Sequence, residues 1–371
     1  MEFSTETGDS GAATLMLHLL GRCNLTCLHC YMGGAPSRTE QLPLQPVLDA
    51  IAECKLLGIG ALYLTGGEPL LYRDFDRVLQ AAEKVPGLKV TVCTNGTLVR
   101  QQHIALLKRA NAKVNISIDG QAEFHDQFRN HVGAFSATER CMQQIVAAGI
   151  PVTIVSTISQ GNLHSLPWLV EWAAQAGAFE FKVQPLLRLG RGMDITEQRL
   201  TTEQSNRMLL QLSDLANAYR SRGVRCSVIG VSKKFLQTHP CGAYVCNGAG
   251  CHRRISQEIK KLVVREDGTV LPEITNLSHE FALGKIDNGP LSLMVNRYFD
   301  DGYSRFDQLC RSIYSEVLPN WESAIVPWDQ IVAERSHRWL PRPTSAEAIP
   351  GCGDCSLTAS ASPCSTAPVS N

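Results

Sequence analysis

Between residues 13 and 190 the chain repeats one pattern: an apolar run of strand length, a short turn, then a stretch of helical length. The apolar runs fall at 15–20, 61–65, 89–94, 113–118, 152–158 and 180–185. Helix-like stretches lie between them at 46–57, 75–85, 98–110, 137–148 and 163–176. In the first of these, Val47, Leu48, Ile51, Ala52 and Leu56 carry the apolar face and Gly58 stops it. Strands that alternate this regularly with helices build βαβ units and a parallel sheet. The strands are rich in Val and Ile and apolar on both faces, as a sheet covered on both sides requires. Six such units predict an α/β fold: a partial (β/α)6 TIM-type barrel, open on one side, with function at the C-terminal strand ends.

Those strand ends carry the polar and Gly-rich motifs. A cysteine run follows the first strand, TGGEP (65–69) the second, CTNG (93–96) the third, SIDG (117–120) the fourth, and VQP (183–185) the sixth. After LGRG (189–192) the pattern changes. Residues 201–222 read as one long helix with Met208, Leu209, Leu212, Leu215 and Tyr219 on a face. From about residue 224 the chain turns Cys-, Gly- and His-rich, and 260–274 reads as a hairpin around Asp267 and Gly268. The expected organisation is therefore a tail at 1–12, the barrel at 13–192, a linking helix at 193–223, a Cys-rich β-hairpin/helix extension at 224–364, and a disordered tail at 365–371. With 371 residues the chain is long enough for two domains.

Thirty-five basic residues balance 35 acidic ones, so charge points to neither nucleic acid nor a membrane surface. No segment reads as a signal peptide or a membrane span, which predicts a cytoplasmic protein. Fourteen cysteines are many for such a chain. They cluster at Cys23, Cys27 and Cys30, then at Cys241, Cys246, Cys251, Cys310, Cys352, Cys355 and Cys364, and short spacings without an export signal favour metal over disulfides. Cys54, Cys93, Cys141 and Cys226 stand alone and read as small buried hydrophobes.

GRCNLTCLHCY (21–31) offers three thiols within eight residues. A structural zinc site wants four ligands, and His29, adjacent to Cys30, is poorly placed to complete one. A cubane iron–sulfur cluster uses three thiolates differently: each binds one iron, and the fourth iron stays open to a non-protein ligand.

CxxxCxxC after the first strand, with the TGGEP, TNG and SIDG turns in order, resembles the radical S-adenosylmethionine (SAM) enzymes over residues 13–192. The resemblance implies that Cys23, Cys27 and Cys30 hold a 4Fe–4S cluster whose open iron chelates SAM. One electron then cleaves the sulfonium to give a 5′-deoxyadenosyl radical that abstracts hydrogen from substrate. It implies that Gly66, Gly67 and Glu68 receive the SAM ammonium, and that Asn95 and Ser117 face its methionine and ribose. Tyr31 belongs to the signature. Asp119 is a ribose partner or a turn cap, Arg129 meets the SAM carboxylate or makes a surface ion pair, and His29 packs on adenine. Gln184 and Arg191 reach the SAM sugar or the substrate.

The C-terminal cysteines resemble the SPASM or twitch extensions of one branch of these enzymes. That implies at least one auxiliary 4Fe–4S cluster on Cys251, Cys352 and Cys355, with Cys310 and Cys364 competing for the fourth place; a structural zinc site is the alternative. Where family members often carry a cysteine just after the hairpin, this chain has Glu273. Cys241 and Cys246 serve a second cluster or leave a free thiol that donates hydrogen.

The expected activity is hydrogen abstraction on a ribosomally made peptide, leading to a crosslink or an epimerised residue. It would need an electron donor such as flavodoxin or ferredoxin; with only about twelve residues before the first strand, the expectation is either a separate leader-peptide recognition protein or direct binding of substrate to the barrel. Two readings compete. One is the same chemistry on a small molecule or protein (tetrapyrrole side chains, cofactor assembly, sulfatase maturation), for which Arg188, Arg191, Arg253 and Arg254 offer carboxylate partners. The other is a non-enzymatic iron–sulfur or zinc protein.

Overall fold

The structure is a computed structural model that describes residues 2–4, 13–238, 240–245 and 260–339. Its centre is a twisted sheet whose strands are short, Val/Ile/Leu-rich and paired in parallel. β1 (Glu2–Ser4) is brief; β2 (Ala13–His18), β3 (Ile59–Thr65), β4 (Lys89–Thr94), β5 (Lys113–Ser117), β6 (Val152–Ile158) and β7 (Glu180–Pro185) are the six expected strands, in sequential order across the sheet. Leu15, Leu17, Leu62, Leu64, Val92, Val114, Ile116 and Ile154 are fully buried in one continuous core. The helices α1 (Leu44–Ala52), α2 (Phe75–Glu83), α3 (Gln101–Arg109), α5 (Ala134–Ala147) and α6 (Leu166–Gln175) cross over between strands. The result is the expected α/β partial barrel, and among the described residues the sheet does not close.

Three features depart from the sequence reading. An extra helix, α4 (Ala122–Arg129), lies just after β5. The long helix α7 (Thr202–Tyr219) is not merely a link: it leads into β8 (Arg225–Ile229), which pairs in parallel with β7 and adds a seventh step to the sheet. β8 is hard to read because Arg225 and Ser227 interrupt its apolar pattern. Both are spent on Glu180, a buried carboxylate that accepts from the Ser227 hydroxyl at 2.8 Å and faces Arg225 at 3.4 Å. Finally, the N-terminal residues expected as a tail supply β1, whose backbone pairs with the outer edge of β8. An open edge presents unpaired N–H and C=O groups, and a short strand satisfies them.

β9 (Val231–Ser232) is small. β10 (Lys261–Val264) and β11 (Thr269–Pro272) form the expected hairpin, with the Asp267–Gly268 turn between them. β10 pairs in parallel with β2, Leu262 opposite Leu15 and Val264 opposite Leu17, so the hairpin continues the barrel sheet. β12 (Gly284–Lys285) adds to its far side. A second apolar core, with Leu236, Leu271, Phe306, Leu309, Ile313 and Trp328, lies under this part of the chain. No described helix is long and apolar enough to cross a membrane.

Candidate functional site

The loop after β2 carries Cys23, Cys27 and Cys30, which pack with Leu25 into a small cluster of their own. Cys23 and Cys27 are buried and Cys30 is half-buried. A loop this irregular must find donors for its carbonyls away from any helix or sheet ladder. Four elements at the strand ends supply them or pack against it.

The first is TGGEP. Gly67 N donates to Leu20 O at 2.7 Å and Glu68 N to Arg22 O at 2.9 Å, so the turn runs beside the start of the cysteine loop like one more pair of strands. Here the glycines are required by the chain itself. A Cβ on Gly67 would stand 2.1 Å from Arg22 O, and Gly66 has φ +141° with a Cβ position 2.6 Å from Leu20 O.

Glu68 is fully buried and joins this turn to the next. Its carboxylate accepts from Leu70 N at 3.2 Å, from the Thr94 hydroxyl at 2.8 Å and from Asn95 N at 2.9 Å. Burial still dominates and pushes its carboxyl up to about 7.

The second element is the TNG turn after β4. Asn95 Nδ2 lies 3.8 Å from Cys23 Sγ and 3.0 Å from Asn24 Oδ1, while Asn24 Nδ2 donates to Thr97 Oγ1 at 2.7 Å. The third is α4. Leu28 N donates to Phe128 O at 2.9 Å, Asn130 Nδ2 to Thr26 Oγ1 at 2.9 Å, and Arg129 Nη1 sits 3.8 Å from Cys27 Sγ. Arg129 is buried and also donates to Asp119 Oδ2 at 2.7 Å, so its ion pair is an interior one. Asp119 is fully buried; its other oxygen accepts from Thr157 N, and its backbone carbonyl from Asn162 Nδ2. It is a hub between β5, β6 and α4 rather than a simple turn cap.

His29 stacks on Phe128, with ring centroids 4.1 Å apart and planes 17° from parallel, and its Nε2 lies 4.0 Å from Asp119. Burial, then Arg129 and Arg191, hold its imidazole neutral. Tyr31 meets His18 edge-on at 6.3 Å. Ser117 is half-buried at the end of β5 on the same side. The fourth element is the LGRG turn after β7, where Arg191 reaches back to the loop.

The hairpin also comes to this end of the sheet. Arg38, just beyond the cysteines, donates to Glu266 Oε1 at 2.9 Å and to Met32 O at 3.2 Å. Sequence reading passed over Arg38, Glu266, Phe128 and Asn162, because nothing in their local spacing marks them.

Burial pushes the Cys23 thiol up to about 12 and raises Cys27 against the pull of Arg129. Such thiols yield their protons to a metal, since thiolate is the ligating form. Among the described residues no three His, Cys, Asp or Glu side chains converge on one point that would seat a single ion. His29 is turned to Phe128 and Asp119, so the loop's nearest candidate for a fourth protein ligand is occupied elsewhere.

Of the C-terminal cysteines, Cys310 is fully buried in the second core. Cys241 lies on a 3₁₀ turn, Pro240–Ala243. Cys246, Cys251, Cys352, Cys355 and Cys364, and with them Arg253 and Arg254, lie outside the described residues.

An open parallel barrel with three cysteines in its first strand-end loop, braced by a Gly-Gly-Glu turn, defines a class of SAM-dependent iron–sulfur proteins. Residues 17–163 match the family model of the radical SAM superfamily, so the chain carries a radical SAM domain. Proteins of that superfamily use a 4Fe–4S cluster and SAM. Two curated relatives are similar over this region. The sporulation killing factor maturation protein SkfB of Bacillus subtilis is 32% identical over 179 residues, covering 48% of this chain and 43% of that protein. An AdoMet-dependent heme synthase of Methanosarcina barkeri is 34% identical over 183 residues, covering 48% and 52%. The chain thus matches about half the length of these relatives. Among solved structures, Streptococcus suis SuiB bound to its precursor peptide SuiA superposes with a TM-score of 0.65 at 15% identity, covering 80% of this chain and 66% of that one. At that identity the likeness is one of fold.

Proposed function

We propose that this protein is a radical SAM enzyme that modifies a ribosomally made peptide by hydrogen abstraction, forming a crosslink or inverting a residue. The observation that carries the reading is the gathering of Cys23, Cys27 and Cys30 at the open end of the sheet, with TGGEP bonded directly beneath them. When bound, the cluster and SAM supply a one-electron cleavage that yields a hydrogen-abstracting radical. The chain's own residues bind and orient. Cys23, Cys27 and Cys30 would hold the cluster, with Asn95 and Arg129 directed at two of the three sulfurs. The carbonyl side of Gly66 and Gly67, Asn95 and Ser117 would line the SAM site, and Glu68 fixes the TGG and TNG turns relative to each other. Buried packing around His29, Phe128 and Asp119 keeps water from that side.

The peptide substrate is supported by the naming of SkfB as a maturation protein and by the SuiB complex with a precursor peptide. The heme synthase relative favours a second reading, a tetrapyrrole substrate. An auxiliary 4Fe–4S cluster on Cys251, Cys352, Cys355 and either Cys310 or Cys364 belongs to the same proposal, as do a flavodoxin- or ferredoxin-type donor, a separate leader-peptide recognition protein and a cytoplasmic location. The test is anaerobic reconstitution with iron and sulfide, followed by SAM and dithionite. Formation of 5′-deoxyadenosine is expected, and its loss in Cys27→Ala. Reconstituted protein that yields none, with or without candidate peptide, overturns the reading.

A further inference from the structure

Arg191 lies 161 residues beyond Cys30, yet both its side chain and its backbone bond the cysteine loop. Its Nε donates to Cys27 O at 2.8 Å and its Nη2 to Gly34 O at 2.9 Å. Its backbone N donates to Cys30 O at 3.0 Å. One residue therefore holds the carbonyls of two of the three cysteines and of the glycine that closes the loop.

The turn that presents it is shaped for this approach. Gly190 has φ +54°, and a Cβ there would stand 2.4 Å from Cys30 O and 2.5 Å from Tyr31 O. A Cβ on Gly192 would stand 2.3 Å from Leu187 O. The glycines let LGRG lie flat on the loop, and a guanidinium fork between them reaches two carbonyls at once. A lysine ammonium has no such planar fork. On the opposite side Arg129 Nη1 approaches Cys27 Sγ at 3.8 Å. Cys27 is thus bracketed by two cations, one on its carbonyl and one at its sulfur. Hydrogen bonds and charge around ligating sulfurs are what set a cluster's potential and retention.

We infer that Arg191 is a positioning residue for the N-terminal cluster: it fixes the spacing of Cys27 and Cys30 and holds the loop closed on the iron. This rests on the radical SAM reading above. Its role is not to reach the SAM sugar or the substrate, since its fork is committed to Cys27 O and Gly34 O.

The test compares wild type with Arg191→Ala, Arg191→Gln and Arg191→Lys, each reconstituted anaerobically as the full chain. The variant lacking Cys23, Cys27 and Cys30 serves as the blank for the C-terminal cysteines. Three quantities are read: iron per chain above the blank, the rate at which a ferrous chelator strips that iron, and the midpoint potential of the N-terminal centre by EPR. Arg191→Ala should lose cluster iron to chelator about 10- to 100-fold faster and shift the potential, while thermal unfolding of the metal-free chain changes little. Arg191→Gln, with one donor group, and Arg191→Lys should fall between. If Arg191→Ala fails to fold, the graded order of the other two decides. Variants that match wild type in stripping rate and potential overturn the inference and leave the radical SAM reading standing. Wild type with no iron above the blank removes both.

Discussion

Glu68 is the residue whose chemistry is most exposed to test. Its carboxyl is raised from 4.5 to about 7, so the folded chain holds that proton more tightly than the unfolded chain does. The stabilisation is complete below about pH 4.5 and is lost as pH rises through 7, by an amount of order a few kcal/mol. In the metal-free protein the melting temperature should therefore fall between pH 5 and pH 8, and Glu68→Gln should flatten that fall. Glu273, also raised to about 7 by burial, leaves a residual slope in the variant. An unchanged pH profile in Glu68→Gln would show that the carboxylate is already ionised in place. Residues of this kind are readable from sequence when their type and spacing are peculiar to the chemistry. The three cysteines, the paired glycines and Glu68 stand out without coordinates. Arg129 and Arg191 stand out less: the family resemblance names a carboxylate or sugar partner for them, while their actual contacts are the nearby Asp119 for Arg129 and, from a loop far away in sequence, Cys27 and Gly34.

Among elements, the periodic ones are legible and the short ones are not. The six principal strands and their helices follow from alternation of apolar runs. α4 has only eight residues, and three of its buried side chains are His125, Phe128 and Arg129, so it shows no apolar stripe. Yet it carries both the ring under His29 and the guanidinium beside Cys27. β8 is hidden because a buried Glu180 makes polar residues appropriate in a strand.

A helix end shows the same dependence on distant partners. Pro290 precedes the helix Leu291–Arg297 and offers no side-chain cap; the cap is Glu53, at the end of α1, which accepts from Leu291 N at 3.0 Å and Ser292 N at 2.8 Å. Glu53→Ala should cost about 1–2 kcal/mol in chemical denaturation, and Glu53→Gln less. No measurable cost would mean that water replaces both acceptors.

For the whole molecule, the decisive fact is that the hairpin belongs to the same sheet as the barrel. Sequence reading places a hairpin at 260–274 and an α/β unit before it, but no local signal says that β10 lies beside β2. Parallel pairing across such a separation is a property of the assembled sheet. Leu262, opposite Leu15, is 1% exposed. Leu262→Ala should cost about 2–5 kcal/mol, and the loss should appear in far-UV circular dichroism and tryptophan fluorescence at one shared midpoint. Two separated transitions, with the barrel melting at its original midpoint, would show that the hairpin stands apart energetically.

β2 has consequences for biosynthesis as well. Its last residue, His18, leads within five positions to Cys23. One flank of β2 is covered by β3, made soon after it, while the other waits for β10, more than two hundred residues later on the ribosome. During that interval the strand that feeds the cysteine loop is a bare sheet edge, open to strand addition by another chain. The order of synthesis therefore separates the two: the cysteine loop is made early, while the wall beside the strand it leaves is finished only with the hairpin.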